Sequence, residues 1–546
     1  MRSFLTRVLA LGLALVLAVG MLPAAYADED VRIRDTAYSE TLGLRAAMSG
    51  EVSDTANFAV YGPDGELTIT EVIEGEKNIY TIVTAEPLDV TAPYTLTYGA
   101  DGKEVRMPIW YSTADFEEQY TYTGDDLGAT WTAESTTFKV WAPTAVSVRV
   151  NLYESGTEGT DDLIESIEMT AEEQGVWAAA VEGDLNGVYY TYSVTVDGVT
   201  REACDPYART TGVNGKRAMV IDLRSTDPVN WAEDAPPRTS GDITDAVIYE
   251  LHVRDLSIDE NSGITNKGKY LGLIETGTKN PKGIPTGLDH IKALGITHIH
   301  LLPSYDYASV DETDPEAGFN WGYDPVNYNV PEGSYSTDPY HGEVRVKEFK
   351  QMVQGLHEHG IGVILDWVPG HFCKDEHGLA DFDGTSQYEY GDPLKRENEG
   401  WGTRVFDFAK HEVRSFLFSS MAFWLREYHF DGIRVDAVAS MLYNDYDRNE
   451  WRPNMFGGRM NLEGMDFLRQ LNTEVCGRTT GYLIAEDSSP EWGITEDVKR
   501  GGLGFTFKWN MGWMNDTIRY FNLDPVYRKW HHGQLTHVVD YAFSEN

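Results

Sequence analysis

Three carboxylates each close a short apolar stretch in the second half of the 546-residue chain. Asp366, Asp436 and Glu486 end the segments GVILD, GIRVD and YLIAE. Two carboxyl groups held about 5–5.5 Å apart can break a glycosidic bond with retention, one as a nucleophile and the other as an acid that later acts as a base. If the apolar stretches are neighbouring strands, Asp436 and Glu486 can meet that distance.

The residues beside Asp436 and Glu486 indicate which of the two is the nucleophile and which is the acid. Arg434 lies two positions before Asp436, so both side chains project to the same face of a strand. The guanidinium is expected to keep Asp436 ionised, as a nucleophile requires. Burial beside residues 483–485 is expected to raise the pKa of Glu486, as an acid requires. Taken alone, the Arg-x-Asp pattern also fits a structural ion pair.

Strands and helices alternate around these residues, which predicts a parallel sheet with right-handed crossovers. The predicted strands cover residues 246–251, 297–302, 362–366, 432–436 and 482–486, with a sixth near 505–509. The predicted helices cover residues 287–294, 343–359, 411–428 and 464–474. Carboxylates at several strand ends are typical of a (β/α)8 barrel, which presents its active site at the C-terminal face of its strands.

Two β-rich regions precede this barrel region, so the chain is predicted to be multidomain. Short alternating segments separated by turn signals predict an N-terminal β-sandwich over residues 28–118 and a second sandwich over 119–228. A linker rich in Pro, Asp and Ser follows, and the catalytic region is predicted over 242–546.

Residues 1–27 are predicted to be a signal peptide. Arg2 and Arg7 precede an apolar run at 8–19, and a small-x-small site lies at 25–27. A membrane anchor is the alternative, although the run is short for a span. The expected location is therefore secreted and extracellular, with no membrane association after cleavage.

The net charge bears on the class of binding partner, and the cysteines bear on whether the chain holds a zinc site. Lys and Arg number 44 against 87 Asp and Glu, a formal net charge of -43. Such a surface repels nucleic acid and anionic membranes, so a neutral polymer suits it better. Cys204, Cys373 and Cys476 lack the spacing of a zinc site and are expected to be small core residues, although one disulfide is possible.

Three segments in order resemble the first three active-site regions of glycoside hydrolase family 13, the α-amylase superfamily. They are DWVPGH from Asp366, DGIRVD from Asp431 and IAED from Ile484. The resemblance implies that Asp436 is the nucleophile, that Glu486 is the acid/base and that Arg434 supports the nucleophile. It also implies that the substrate-binding residues are Arg434, Asp366, His371, Tyr323 and Trp321, with the attacked sugar stacked on Tyr323.

The chain resembles two different branches of this family, one in each half. Up to about residue 360 the sequence is similar to type I pullulanase, through the segments DDLGA, FKVWAPT, IYELHVRD and FNWGYDP. This likeness implies that residues 119–228 resemble a family-48 carbohydrate-binding module. From about residue 362 the sequence is similar to 1,4-α-glucan (glycogen) branching enzyme, through GVILDWVPGHF, DGIRVDAVASMLY, WRPN and KWNMGW.

The fourth active-site region of the family, a His-Asp pair on the seventh strand, has no match in the sequence. We therefore expect an incomplete barrel with open edges, and a fragment with little or no activity. The expected function is pullulanase-type hydrolysis of α-1,6 branch points in α-glucans such as starch, glycogen or pullulan. The alternatives are 1,4-α-glucan branching by glycosyl transfer and an inactive glucan-binding fragment. No organic cofactor is expected, and calcium is possible without a dedicated loop signature.

Overall fold

The computed structural model describes residues 31–40, 43–75, 78–86, 88, 92–105, 114–159, 161–196, 198–237, 243–375, 378–380, 382–478 and 481–536. The predicted signal peptide and the side chain of Cys476 lie outside this set. The chain separates into two compact units, Met1–Tyr120 and Thr121–Asn546. The second unit contains both the predicted second sandwich and the barrel region. Among the described residues, no helix has both the length and the apolar character needed to cross a bilayer.

The first unit is a β-sandwich, as predicted. Its strands are β1 (Ile33–Glu40), β2 (Gly43–Met48), β3 (Phe58–Gly62), β4 (Gly65–Leu67), β5 (Ile69–Glu74), β6 (Ile79–Thr84), β7 (Thr95–Tyr98) and β8 (Asp101–Glu104), and a helix follows, α1 (Ala114–Tyr120). They form two antiparallel sheets in the orders β1-β2-β6-β5 and β4-β3-β7-β8. Alternation along β6 buries Tyr80 and Ile82, which form part of the core.

The second sandwich opens the larger unit. Its strands are β9 (Gly128–Trp131), β10 (Ser135–Trp141), β11 (Ser147–Tyr153), β12 (Leu163–Glu168), β13 (Thr170–Ala171), β14 (Val176–Glu182), β15 (Tyr189–Val196), β16 (Val199–Ala203) and β17 (Ala218–Met219). Two antiparallel sheets run β13-β14-β10-β9 and β12-β11-β15-β16, and β17 pairs with β15. Phe138 and Tyr190, from opposite sheets, meet edge to face with ring centroids 4.9 Å apart.

The catalytic region is built on a six-stranded parallel sheet whose order follows the chain. Its strands are β18 (Ile248–Leu251), β19 (His298–Leu301), β22 (Gly362–Trp367), β26 (Gly432–Val435), β27 (Tyr482–Glu486) and β28 (Phe507–Trp509). All six predicted strands are therefore confirmed. At the start of β26 only glycine fits, because a Cβ on Gly432 would lie 2.6 Å from the ring of Tyr482.

Helices and short strands fill the connections. The helices are α2 (Gly287–Ala293), α3 (Gly342–Glu358), α4 (Pro393–Arg396), α5 (His411–Glu427), α6 (Val438–Leu442), α7 (Leu462–Arg478), α8 (Met511–Asn522) and α9 (Pro525–Arg528). The short strands are β20 (Tyr305–Tyr307), β21 (Pro325–Pro331), β23 (His371–Phe372), β24 (Glu397–Asn398) and β25 (Thr403–Val405). Along α3 the predicted apolar face is buried, with Val346, Phe349, Met352, Val353 and Leu356 all 0 % exposed.

The described part of the sheet is open. Within the described residues, β18 and β28 each pair with a neighbour on one side only, so the sheet does not close into a barrel. Apolar side chains lie exposed on α8 and α9 and just beyond them, namely Trp513, Ile518, Phe521, Val526, Tyr527 and Trp530. The described part of the chain therefore contains six strands of the predicted (β/α)8 barrel.

Two of the three cysteines can be placed. Cys204 is buried in the core shared by the sandwich and the barrel region, and Cys373 is half-buried. Both are free thiols. Burial raises the pKa of Cys373 to about 11, so its thiol stays protonated and unreactive near neutral pH. The expectation of structural cysteines is met for Cys204.

Candidate active site

Arg434 is the centre of a group of carboxylates at the C-terminal ends of three neighbouring strands. Its Nη1 donates to Asp366 at 2.6 Å and to Asp436 at 2.8 Å. Its Nη2 lies 3.0 Å from Oε2 of Glu486. The structure therefore brings together the four charged residues that the sequence singled out, and one guanidinium bridges the two candidate catalytic carboxylates.

The group is deeply placed, with one side open to solvent. Asp366 is 0 % exposed, and Arg434 and Asp436 are 6 % and 8 % exposed. The side chain of Glu486 is 25 % exposed. A substrate entering from the solvent side would therefore reach Glu486 more easily than Asp366.

The backbone after Asp436 helps to fix Glu486. Ala437 adopts a left-handed conformation, with φ of 44°, which is strained for a residue with a side chain. Its amide donates to Oε2 of Glu486 at 2.8 Å. The amide of Asp436 itself donates to the carbonyl of Trp367 at 2.9 Å. The two carboxylates are thus oriented by one short stretch of backbone as well as by Arg434.

The aromatic rings of Tyr323 and His371 lie on one side of the Arg434 group. The hydroxyl of Tyr323 donates to Asp366 at 2.7 Å, and Nε2 of His371 lies 2.9 Å from the carbonyl of Tyr323. Burial lowers the pKa of His371 to about 4, so this ring is neutral at neutral pH. Trp321 is 59 % exposed and, among the described residues, takes no part in this hydrogen-bonded group.

Burial outweighs the expected effect of Arg434 on the candidate nucleophile. The sequence predicted that Arg434 keeps Asp436 ionised. Burial is the largest influence and raises the pKa of Asp436 to about 7, aided by repulsion from Asp366 and Glu486, while Arg434 opposes the shift. Burial also opposes ionisation of Asp366, but Arg434 and the nearby imidazole of His300 hold its pKa below the usual range. One guanidinium shared among three carboxylates cannot compensate them all, so the prediction that Arg434 keeps Asp436 ionised was wrong.

Residues that the sequence analysis missed complete the group. His300 is 1 % exposed and lies 3.2 Å from Asp366 and 3.3 Å from Glu250. The ring of Trp401 packs against His371, with centroids 4.9 Å apart. The alternation of β19 could have identified His300, because positions 298 and 300 share a face. Trp401 lies in a long connection, and no sequence pattern marks its position.

The raised pKa of Asp436 predicts a pH-dependent stability change in Asp436→Asn. The folded protein holds this proton more tightly than the unfolded chain, so the contribution is present below about pH 4 and is lost as the pH rises through about 7. The asparagine variant has no such loss. It should gain about 4 kcal/mol over the unchanged protein at pH 8 relative to pH 4, measured by thermal unfolding at both values. An equal difference at both pH values would contradict the raised pKa.

Comparison with known proteins shows which protein families this chain is similar to. The carbohydrate-binding module 48 (isoamylase N-terminal domain) matches residues 126–208, and the alpha amylase catalytic domain matches residues 268–393. A 1,4-alpha-glucan branching enzyme from Jannaschia sp. is 39 % identical over 430 residues, which cover 77 % of this chain and 56 % of that enzyme. The region matched over residues 268–393 therefore belongs to the alpha amylase catalytic domain family, glycoside hydrolase family 13. This is the α-amylase family of glycosidases and transglycosidases.

Further family 13 relatives fall on both branches. The 1,4-alpha-glucan branching enzyme of Salinibacter ruber is 38 % identical over 443 residues, covering 78 % of this chain and 65 % of that enzyme. A pullulanase from Paenibacillus barengoltzii, solved with maltohexaose and alpha-cyclodextrin, matches at a TM-score of 0.61 and 40 % identity, covering 69 % of this chain and 55 % of that one. The pullulanase of Bacillus acidopullulyticus matches at a TM-score of 0.70 and 28 % identity, covering 83 % and 66 %. The chain thus spans between 56 % and 65 % of the length of the two branching enzymes.

Proposed function

We propose that the Arg434 group performs retaining glycosyl chemistry on α-glucans at α-1,6 branch points. The observation that carries this proposal is the single guanidinium that bridges Asp436 and Glu486 at the ends of adjacent strands. A retaining mechanism needs such a pair of carboxyl groups flanking the scissile bond.

The two carboxyl groups act together in two successive steps. Asp436 attacks the anomeric carbon of the bound sugar while the acid form of Glu486 protonates the departing glycosidic oxygen. The covalent glycosyl–Asp436 ester is then released when Glu486, now a base, takes a proton from the attacking hydroxyl. Because burial favours the neutral form of Asp436, the positive charge that develops on the sugar helps to stabilise the carboxylate form that attacks it.

The buried part of the group holds the sugar under attack. Asp366 is fixed by Arg434 and by the hydroxyl of Tyr323, which leaves the half-buried Tyr323 ring beside the reacting pair. A pyranose ring stacks on such an aromatic face while carboxylate oxygens accept its hydroxyl protons. Neutral His371 adds a hydrogen-bonding edge without adding charge.

We propose hydrolysis, of the pullulanase type, as the outcome of this chemistry. Support comes from the pullulanase structures that resemble the chain, one of which was solved with maltohexaose. The predicted signal peptide agrees with this proposal, because a secreted enzyme meets external polymer rather than stored glucan. Secretion is itself a proposal, which detection of the cleaved chain outside the cell would support.

Branching by transfer is the second candidate, and the sequence relatives favour it. Both branching enzymes described above align with more than three quarters of this chain. The two reactions share the glycosyl-enzyme step and differ in whether water or a sugar hydroxyl attacks it.

Linkage analysis separates the candidates. The purified chain is incubated with pullulan and, separately, with linear amylose, and reducing ends and α-1,6 linkages are counted by NMR. Hydrolysis predicts new reducing ends from pullulan and loss of its α-1,6 signal, both absent in Asp436→Asn. A gain of α-1,6 linkages in amylose without new reducing ends would replace hydrolysis by branching. Binding of both polymers without any turnover would contradict a catalytic role and favour a glucan-binding protein.

A further inference from the structure

A small cavity with a basic lining lies outside the candidate active site. Its volume is about 50 Å³, and because one water needs about 10–15 Å³, it has room for about four water-sized groups. Arg254, Lys267 and Lys269 line it together with His252, and Glu316 is the one carboxylate among the described residues that line it. We call this cavity the basic pocket. Three cations around one cavity are unusual in a chain whose 87 acidic residues outnumber its 44 basic ones.

The two lysines of the basic pocket keep donors that a ligand can use. The amine of Lys267 donates to the carbonyl of Asp259 at 2.6 Å and to Oγ of Ser262 at 2.7 Å. The amine of Lys269 donates to the carbonyl of Ser334 at 2.8 Å. Among the described residues, no carboxylate lies within ion-pair distance of either amine. Each ammonium has three donors, so both retain at least one, and burial lowers the pKa of Lys269 where an anion would stabilise its charge.

The folded chain fixes where these cations lie. Both lysines flank Gly268, which has the left-handed φ of 69° and donates its amide to Oγ of Ser257 at 2.7 Å. The guanidinium of Arg254 lies over the ring of Phe319, 5.7 Å from its centroid. The basic pocket is therefore preformed, which reduces the entropic cost of binding.

His252 supplies an unused hydrogen-bond acceptor in the lining. The residue is 6 % exposed, and its Nε2 lies 2.8 Å from the carbonyl of Asn320. A carbonyl only accepts, so Nε2 carries the proton, and burial lowers the pKa of the ring, which leaves Nδ1 as an acceptor. Among the described residues, Nδ1 has no hydrogen-bond partner. Oδ1 of Asp255 lies 3.9 Å from it and, as a carboxylate, offers no proton.

These groups select a ligand by its size and by its protons. The volume is too small for a pyranose ring with its hydroxyls, whereas the four oxygens of a tetrahedral oxyanion match it. The cations need acceptors, and Nδ1 of His252 needs a donor. Inorganic phosphate offers both, because it retains a P–OH near neutral pH. Sulfate and the dianion of a phosphate monoester offer acceptors only.

We propose that the basic pocket binds inorganic hydrogen phosphate, whose oxygens accept from the three cations and whose P–OH donates to Nδ1 of His252. The pocket shares no residue with the Arg434 group, so this proposal does not rest on the proposed function. Asn320 lines the pocket and lies three positions before Tyr323. Bound phosphate would therefore hold the segment that carries the aromatic ring of the candidate active site.

Calorimetric titration of the whole chain at pH 8 tests the ligand, in a phosphate-free buffer at constant ionic strength. The unchanged protein should bind phosphate at one site and sulfate at least about tenfold more weakly, because sulfate cannot donate to His252. Methyl phosphate, which lacks a P–OH at this pH, should bind as weakly as sulfate. His252→Gln can keep a donor toward Asn320 but lacks the acceptor, so its preference for phosphate should fall below about twofold.

Charge variants test the cations. Lys269→Met should weaken phosphate binding at least about tenfold. Glu316→Gln, which removes an exposed carboxylate from the lining, should tighten it. Lys292→Met changes an exposed cation on α2, outside the pocket, and should leave the affinity unchanged. Circular dichroism checks that each variant is folded, and Glu316→Gln tests the role of charge even if Lys269→Met does not fold.

The outcomes separate the basic pocket from the proposed function. Equal affinity for phosphate and sulfate in the unchanged protein, or no saturable binding of either anion, would overturn the proposal. Tighter binding of methyl phosphate than of phosphate would also overturn it, in favour of a phosphate ester. Selective phosphate binding by a chain that turns over no glucan would support the basic pocket and count only against the proposed function.

Discussion

Arg345→Met is expected to lower the free energy of unfolding of the larger unit by about 3–5 kcal/mol. Arg345 is 0 % exposed and binds Glu312 through two parallel hydrogen bonds, of 3.1 and 2.7 Å. Removing the guanidinium leaves the buried Glu312 carboxylate without its partner. An uncompensated buried charge costs more than the intact ion pair contributes.

The same guanidinium also joins the sandwich to the barrel region. It donates to the hydroxyl of Thr211 at 3.3 Å and to the carbonyl of Gly212 at 3.2 Å, both beyond the last large strand of the sandwich. The variant therefore loses contacts between the two parts of the unit as well as an ion pair. Chemical denaturation followed by circular dichroism should show the loss.

Two further buried carboxylates make this effect depend on pH. The carboxylate oxygens of Asp306, Glu312 and Glu332 lie within 4.8 Å of one another, close enough to share a cation, and Arg345 supplies the positive charge there. Burial, then repulsion from Glu312, raises the pKa of Asp306 to about 7 and raises the pKa of Glu332 well above its usual range. Lowering the pH to 5 protonates more of the group in the variant, so the loss should shrink there.

Matched variants isolate the buried pair. Lys347→Met changes an exposed cation on the same helix and should cost less than about 0.5 kcal/mol. Combining Arg345→Met with Glu312→Gln removes the uncompensated charge and should recover part of the stability. A loss below about 1 kcal/mol for Arg345→Met at pH 7 would contradict this account of the buried pair.

The largest kinetic effects are expected at Asp436 and Glu486, and they should differ in kind. Asp436→Asn removes the nucleophile and should lower kcat by at least about 10⁴-fold on any α-glucoside. Glu486→Gln removes the acid, so its loss should be large on pullulan and much smaller on an aryl glycoside whose leaving group needs no proton. Steady-state kinetics on both substrates measure the contrast.

An acidic residue outside the Arg434 group provides the control for that contrast. Glu496 is paired with Arg500 at 3.3 Å on the connection after β27, away from Arg434, so Glu496→Gln should keep kcat within about twofold on both substrates. Equal losses on the two substrates in Glu486→Gln would show that Glu486 does not act as the acid.

Much of the fold followed from local sequence patterns. The apolar runs that end at Asp366, Asp436 and Glu486 predicted adjacent parallel strands, and β22, β26 and β27 occupy those positions. The two-residue spacing of Arg434 and Asp436 correctly predicted a shared face, because alternation along a strand is a local property.

Features that depend on contacts between residues distant in the sequence could not be predicted from local sequence patterns. The pKa of Asp436 depends on burial and on Asp366 and Glu486, which are distant in sequence, so the neighbouring Arg434 alone gave the wrong direction. The place of Trp401 against His371 is set by a long connection.

Covalent trapping tests the central claim, that Asp436 is the nucleophile of a retaining site. A fluorinated α-glucosyl fluoride slows both steps but leaves a good leaving group, so the glycosyl-enzyme ester should accumulate. Mass spectrometry of the digested protein should then show one added glycosyl group on the peptide that contains Asp436, and none in Asp436→Asn. A stable adduct on another residue, or an adduct that persists in Asp436→Asn, would contradict the assignment of the nucleophile.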